Sequence, residues 1–192
     1  KRQSLPIRSI IAYGSLSLPV GTIGLPVAIY LAPLYSGQLN LSLELIGIAF
    51  LLARLSDFIT DPLVGIISDR WRPRVGRRRI WLVLGTVVMM SGVFLLFRPS
   101  DGVNIWYFLG SVSLVYFGYT LLLVPYAAWG AELSGDYNTR TRITSSARFF
   151  DIAGLIISTL IPAVVLSREG ATSADVMRDL STFILIALPI AA

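Results

Sequence analysis

The sequence contains no cysteine and no histidine. The first absence excludes disulfides and thiolate metal sites. The second leaves any proton chemistry to carboxylates. Charge is scarce as well: 14% of the 192 residues are charged, well under the usual quarter, and those residues cluster instead of scattering. No nucleophile–base set, phosphate-binding loop or metal cluster is present, so an enzyme has no residues to stand on and no cofactor is expected. A cleavable signal peptide is disfavoured too. The apolar run behind Lys1, Arg2 and Arg8 is too long for an h-region of about 7–15 residues, and it has no clear small-residue cleavage site.

What the chain has in abundance is hydrophobic length. Apolar residues make up 55% of it, and its mean hydropathy is +0.73, too high for an ordinary soluble domain. A membrane-spanning helix needs roughly 20 mostly apolar residues. Runs near 9–34, 42–67, 80–97, 105–133, 144–166 and 180–192 are the candidates. They lack the strict alternation of barrel strands, so the class is an all-α, multi-pass membrane protein. The last run, LSTFILIALPIAA, stops after 13 residues, and the first residue is Lys. Both facts predict a six-helix bundle whose sixth helix is cut short. A polar loop of about a dozen residues is expected around 167–179.

The net charge of +5 is a topology signal and does not point to nucleic acid. Lys1, Arg2 and Arg8 precede span one; Arg70, Arg72, Arg74, Arg77, Arg78 and Arg79 lie between spans two and three; Arg140 and Arg142 lie between four and five. The opposite side holds only Arg98, Arg168 and Arg178. By the positive-inside rule the N-terminus and the arginine loop are cytoplasmic. The expected location is a bacterial inner (plasma) membrane.

The costly feature lies in span two. Arg54, Asp57 and Asp61 are spaced i, i+3 and i+7 and share one helical face. Asp57 falls near the membrane middle, and Asp61 lies roughly 6 Å closer to the cytoplasm. A carboxylate at mid-bilayer costs about 2.5–3.5 kcal/mol on the mildest scale. One reading is a site for a sodium-like ion or a proton, with hydroxyls such as Thr60 or Thr120 completing an oxygen shell. The other is an ion-pair lattice in which Arg54 and Arg148 neutralise Asp57, Asp61 and Asp151 and lock helices together. Both stay open, and a lattice that rearranges on ion binding would be a coupling device. Pro62 predicts a bend beside Asp61.

Beyond the bend, Gly65 is expected to permit close helix contact, Asp69 to end the span, and Gly76 to allow a tight turn before Arg77, Arg78 and Arg79. Asp69 and Glu132 are the carboxylates available to those arginines, in a surface cluster that can hold one conformation and break in another. Span one carries Gly14, Pro19, Gly21, Gly24, Pro26 and Pro33, an interrupted pattern tolerated where a helix borders a cavity or packs on protein. Trp81 and Trp106 fit an interfacial aromatic belt. Tyr116, Tyr119, Tyr126 and Trp129 give span four a candidate substrate-facing aromatic surface. Asp151, three residues after Arg148, predicts a local pair.

Gly65-x-x-x-Asp69-Arg70 followed by Gly76-Arg77-Arg78 resembles the loop 2–3 signature of the major facilitator superfamily, with extra residues between its halves. The string Arg54-x-x-Asp57-x-x-x-Asp61-Pro62 resembles the glycoside–pentoside–hexuronide:cation symporters, the melibiose-carrier group. Val124-Pro125-Tyr126, Gly130-Ala131-Glu132-Leu133, Asp136-Tyr137, Arg140-Thr141 and Arg148-Phe149-Phe150 recur in that group's order, so the resemblance covers essentially the whole chain.

This resemblance implies the N-terminal six-helix half of a 12-helix carrier, partnered by a C-terminal half and binding at the midplane between them. Carried over by position, Asp57 and Asp61 match cation-site carboxylates, Thr120 falls near a residue contributing there, and Arg148 matches a substrate-site arginine. Gly21 and Leu123 stand where melibiose-type carriers place aspartates for sugar hydroxyls, and Ala127 replaces a sugar-stacking Trp, with Trp129 two residues on. The expected function is sodium- or proton-coupled transport of a small organic solute, a sugar or glycoside among the candidates, by alternating access. A proton-driven efflux carrier of the same superfamily is one rival. A non-transporting receptor or assembly subunit that keeps the fold is another.

Overall fold

The computed structural model describes residues 5–71, 76–100 and 102–192, apart from the side chain of Gln38. Their regular elements are all helices, with no strand among the described residues. The first span is a chain of short pieces: α1 (Ile7–Ser15), α2 (Ser17–Gly21), α3 (Gly24–Ile29), α4 (Leu31–Pro33) and a π-helical turn (Leu34–Gln38). Proline sets the breaks. A helical proline clashes with the carbonyl four residues before it, and Pro19, Pro26 and Pro33 therefore disturb positions 15, 22 and 29. Those are the last residue of α1, the C-cap of α2 and the last residue of α3. The Thr22 side chain donates to the Leu18 carbonyl at 2.9 Å, supplying a local partner at one break.

The remaining helices are α5 (Leu43–Arg70), α6 (Arg79–Phe97), α7 (Ile105–Glu132), α8 (Tyr137–Leu166) and α9 (Ser173–Ala191). The stretches Ile7–Ile29, Arg79–Phe97, Ile105–Glu132 and Tyr137–Leu166 are each long and apolar enough to cross a membrane. α5 has 28 residues, about 42 Å of helix, but its middle carries Arg54, Asp57 and Asp61. α9 carries Asp175, Arg178 and Asp179 in its first turns, because it starts earlier than hydropathy suggests. A capping box between Thr172 and Asp175 starts it, so most of the loop expected around 167–179 is helix. α5 runs through Pro62, where a bend is expected, as one continuous helix.

Lipid is as apolar as leucine, so helix association here rests on close packing. α6 and α7 form the tightest pair. A Cβ added at Gly85 would lie 2.7 Å from the Leu122 nitrogen, one at Gly92 2.7 Å from the Val115 nitrogen, and one at Gly118 2.6 Å from Met89 backbone atoms. α7 also packs on α5, whereas α1 and α2 pack on α8, and α9 rests against α6 and α8. Tyr35 is fully buried in the core, edge-on to Phe108, and donates to the Leu96 carbonyl at 2.9 Å. Trp81, expected in an interfacial belt, is buried against Val64 and Leu121. Its place at the start of α6 turns the indole inward between α5 and α7. Trp106 is 74% exposed.

Candidate functional site

Arg54, Asp57 and Asp61 of α5 line one 680 Å³ cavity together with Phe58, Pro62, Tyr119, Thr120 and Leu123. Arg54 Nη1 donates to Asp57 Oδ2 at 3.2 Å, and its guanidinium lies 5.8 Å from the Tyr116 ring centre. Thr120 on α7 donates to Asp61 Oδ1 at 2.8 Å. The second Asp57 oxygen, Oδ1, is buried without a hydrogen-bond partner among the described residues, as is the Thr60 hydroxyl one turn on. Buried polar atoms are rarely left unpaired. Carboxylate and hydroxyl oxygens are the donor type suited to a hard cation. Among the described residues no group of three or more His, Cys, Asp or Glu side chains could hold a metal ion.

A second cavity, of 490 Å³, lies between α1, α2, α7 and α8, lined by Ser17, Tyr119, Tyr126, Thr144, Arg148 and Asp151 among others. Arg148 donates to Asp151 Oδ2 at 3.3 Å within α8, and its side chain is 76% exposed. A third, of 300 Å³, runs under span one and is lined by Val20, Gly21, Ile23, Val27, Val112, Val115 and Tyr116 together with Arg54 and Asp151. Tyr119 borders all three. Gly21 admits a close approach here: an added Cβ would lie 2.5 Å from the Asp151 carbonyl oxygen and 2.8 Å from Asp151 Oδ1. The glycine thus makes room for α8, and its own atoms offer a solute little. Trp129 lines none of these cavities and packs edge-on against Tyr13 at 5.8 Å.

Tyr13 and Ser17 were not singled out from the sequence. Tyr13 stacks on Tyr126 with ring centres 4.3 Å apart. The two phenols donate reciprocally, Tyr13 to the Tyr126 carbonyl at 3.1 Å and Tyr126 to the Tyr13 carbonyl at 2.8 Å. Ser17 Oγ lies 3.1 Å from the Tyr126 hydroxyl. Tyr126 is therefore committed to holding span one on α7. The one signal for this set was two polar residues one turn apart in a charge-free stretch.

At the arginine-loop end, Arg78 is 6% exposed and ties three helices together. Its Nη2 donates to Asp69 Oδ1 at 2.8 Å and to Glu132, and its Nη1 donates to Ser68 Oγ at 3.2 Å. Arg77 also pairs with Glu132. Asp69 and Glu132 end α5 and α7, where the helix dipoles favour cations. Gly76 has φ +109° and makes the turn into this cluster. Arg70, at the end of α5, forms no ion pair among the described residues. Gly65 does not mark a close approach, since an added Cβ would meet only Val124 at an ordinary 3.7 Å. Arg72 and Arg74 lie outside the described residues. The cross-helix lattice is likewise not observed: both arginine–aspartate pairs lie within single helices, at i, i+3.

A bundle of membrane-length helices with an ionisable stripe facing a cavity defines an integral membrane protein. The chain belongs to the MFS/sugar transport protein family, which matches residues 12–192, and its fold is that of the N-terminal six-helix half of such a carrier. It is 28% identical over 168 residues to the uncharacterized symporter sll1374 of Synechocystis sp. (83% of this chain, 31% of that protein). It is 27% identical over 173 residues to the inner membrane symporter YicJ of Escherichia coli (88% and 38%). It is 30% identical over 171 residues to the putative glycoside/cation symporter YagG of Escherichia coli (86% and 37%). The chain thus spans between 31% and 38% of the length of these relatives.

Proposed function

We propose that this chain is the ion-coupling half of a cation-driven secondary transporter for a small organic solute. Asp57, Asp61 and Thr120 bind the coupling cation, sodium or a proton, and Arg148 faces the solute. The observation that carries this reading is the unpartnered Asp57 Oδ1 on the stripe that borders a cavity. Two carboxylates against the single Arg54 guanidinium leave one negative charge, which matches one monovalent ion. A subunit that only kept the fold would need this stripe neutralised and packed away. Similarity to the putative glycoside/cation symporter YagG supports a glycoside as solute.

Alternating access needs the two sides of the site to open in turn. The Asp69–Arg78–Glu132 cluster, with Arg77, is placed to close the arginine-loop side, cytoplasmic by the positive-inside count. Breaking it means leaving a nearly buried guanidinium without its carboxylates, a cost that the C-terminal half and the bound ion and solute must together offset.

The test is uptake into proteoliposomes by the intact transporter, with sodium and pH gradients imposed separately and glycosides among the solutes. An inward gradient of one cation is expected to drive accumulation. Solute flux that ignores both gradients would sink cation coupling, and sodium dependence at fixed pH separates sodium from proton coupling.

A further inference from the structure

The end of the bundle opposite the arginine loop holds a 520 Å³ cleft lined by Leu34, Leu39, Phe97, Arg98, Pro99, Ala174 and Arg178. Two of its lining residues are arginines and none is acidic. Arg98, the C-cap of α6, donates Nε to Ser181 Oγ at 2.7 Å and Nη2 to Thr182 Oγ1 and, at 3.4 Å, to the Arg178 carbonyl. Its guanidinium also lies 5.8 Å from the Phe94 ring centre. Every one of these partners is neutral. Neither Arg98 nor Arg178 forms an ion pair among the described residues. The acids of α9 are engaged elsewhere: Asp175 accepts from the Thr172 nitrogen and hydroxyl at 3.0 and 2.9 Å, and Asp179 faces Arg168 at 3.8 Å.

Two guanidiniums line one cleft, and neither has a carboxylate within ion-pair distance among the described residues; Asp175 acts on Arg178 only at longer range. An anion between them would give both guanidiniums a direct charge partner and use donors the hydroxyls do not reach. Arginine forks match phosphate geometry, and the apolar floor of Leu34, Leu39 and Phe97 suits a ligand whose charged group is joined to hydrocarbon.

We propose that this cleft binds a phosphate group, with Arg98 and Arg178 as its two cations, and that the group is the headgroup of an anionic membrane phospholipid. Arg98 also ties α6 to α9, whereas no hydrogen bond from the Arg178 guanidinium contributes to the packing described above, so R178Q is the informative variant.

The experiment titrates dioleoylphosphatidylglycerol into the detergent-purified intact transporter and reads lipid adducts by native mass spectrometry together with thermal protection. Dioleoylglycerol and inorganic phosphate are separate arms. Phosphatidylglycerol is expected to bind and protect, with apparent affinity about tenfold weaker in R178Q and weaker again in R98K/R178Q, which keeps a cation at the packing position. Protection by phosphatidylglycerol and not by inorganic phosphate assigns a lipid source. Equal protection by inorganic phosphate upholds the phosphate cleft with a soluble source. Equal binding of dioleoylglycerol, or unchanged affinity in R178Q and R98K/R178Q, would overturn the proposal. None of these outcomes depends on solute transport, so the cleft and the coupling site stand or fall separately.

Discussion

Arg54–Asp57 on α5 and Arg148–Asp151 on α8 are the same local motif, an arginine three residues before an aspartate, at nearly the same distance (3.2 and 3.3 Å). Their surroundings differ. The Asp57 side chain is 16% exposed, keeps a buried oxygen with no partner, and has a second carboxylate one turn away. Asp151 is 39% exposed and packs against the Gly21 backbone of span one. Spacing alone therefore decides that the pair forms. What the free oxygen faces decides whether the pair can take an ion. The same stripe carries the coupling proposal on one side of Tyr119, and the same motif carries the solute proposal on the other.

The comparison breaks most sharply at the carboxylates. Asp57→Asn is expected to abolish cation-stimulated uptake in proteoliposomes, a fall of about 100-fold or more, given that a mid-membrane carboxylate is kept at a cost of kilocalories. Asp151→Asn is expected to leave cation stimulation in place. If the two variants lose cation stimulation equally, the distinction between the pairs is wrong.

Next in size is Gly21→Leu. A side chain there must push on the α8 backbone at Asp151, an overpacking strain of about 1–3 kcal/mol, so the melting temperature should drop. Gly65→Ala, with ordinary space around it, should leave melting unchanged. Thr120→Ala removes the hydroxyl on Asp61 and should weaken the activating cation about tenfold, as loss of a hydrogen bond to a charged group does. Uptake against sodium or proton concentration, at saturating solute, measures it. The smallest effect is expected for Arg148→Gln on stability: its pair is largely exposed and contributes less than about 1 kcal/mol. The same variant should raise the solute concentration needed for half-maximal uptake, and a change in melting without that effect would contradict a solute-facing role.

Some of this was legible in the sequence because charge is rare in it. In an apolar helix three ionisable residues at i, i+3 and i+7 can only be noticed, and Asp69, Arg78 and Glu132 stand out at the ends of their spans for the same reason. The hidden features are made of residue types that membrane helices use everywhere. Tyr13 and Tyr126 are 113 positions apart, and nothing in either local sequence marks the other as its partner. Trp81 fits a belt and a core equally well until the neighbouring helices are placed. Gly65 and Gly85 look alike in sequence, yet only Gly85 touches a neighbouring backbone, since contact depends on which face the partner helix covers. Proline was ambiguous in the same way. Three prolines seven residues apart segment span one, whereas Pro62, Pro125 and Pro162 sit inside continuous helices.

The reciprocal tyrosine bonds have a mechanical consequence. Separating α1 from the last turns of α7 would break two hydrogen bonds to main-chain carbonyls and a ring stack at once, so the two segments turn as a single piece. A hinge in this half must therefore lie elsewhere, and any rotation of α7 about its axis is delivered directly to the broken first span, whose short segments can then swing at their joints.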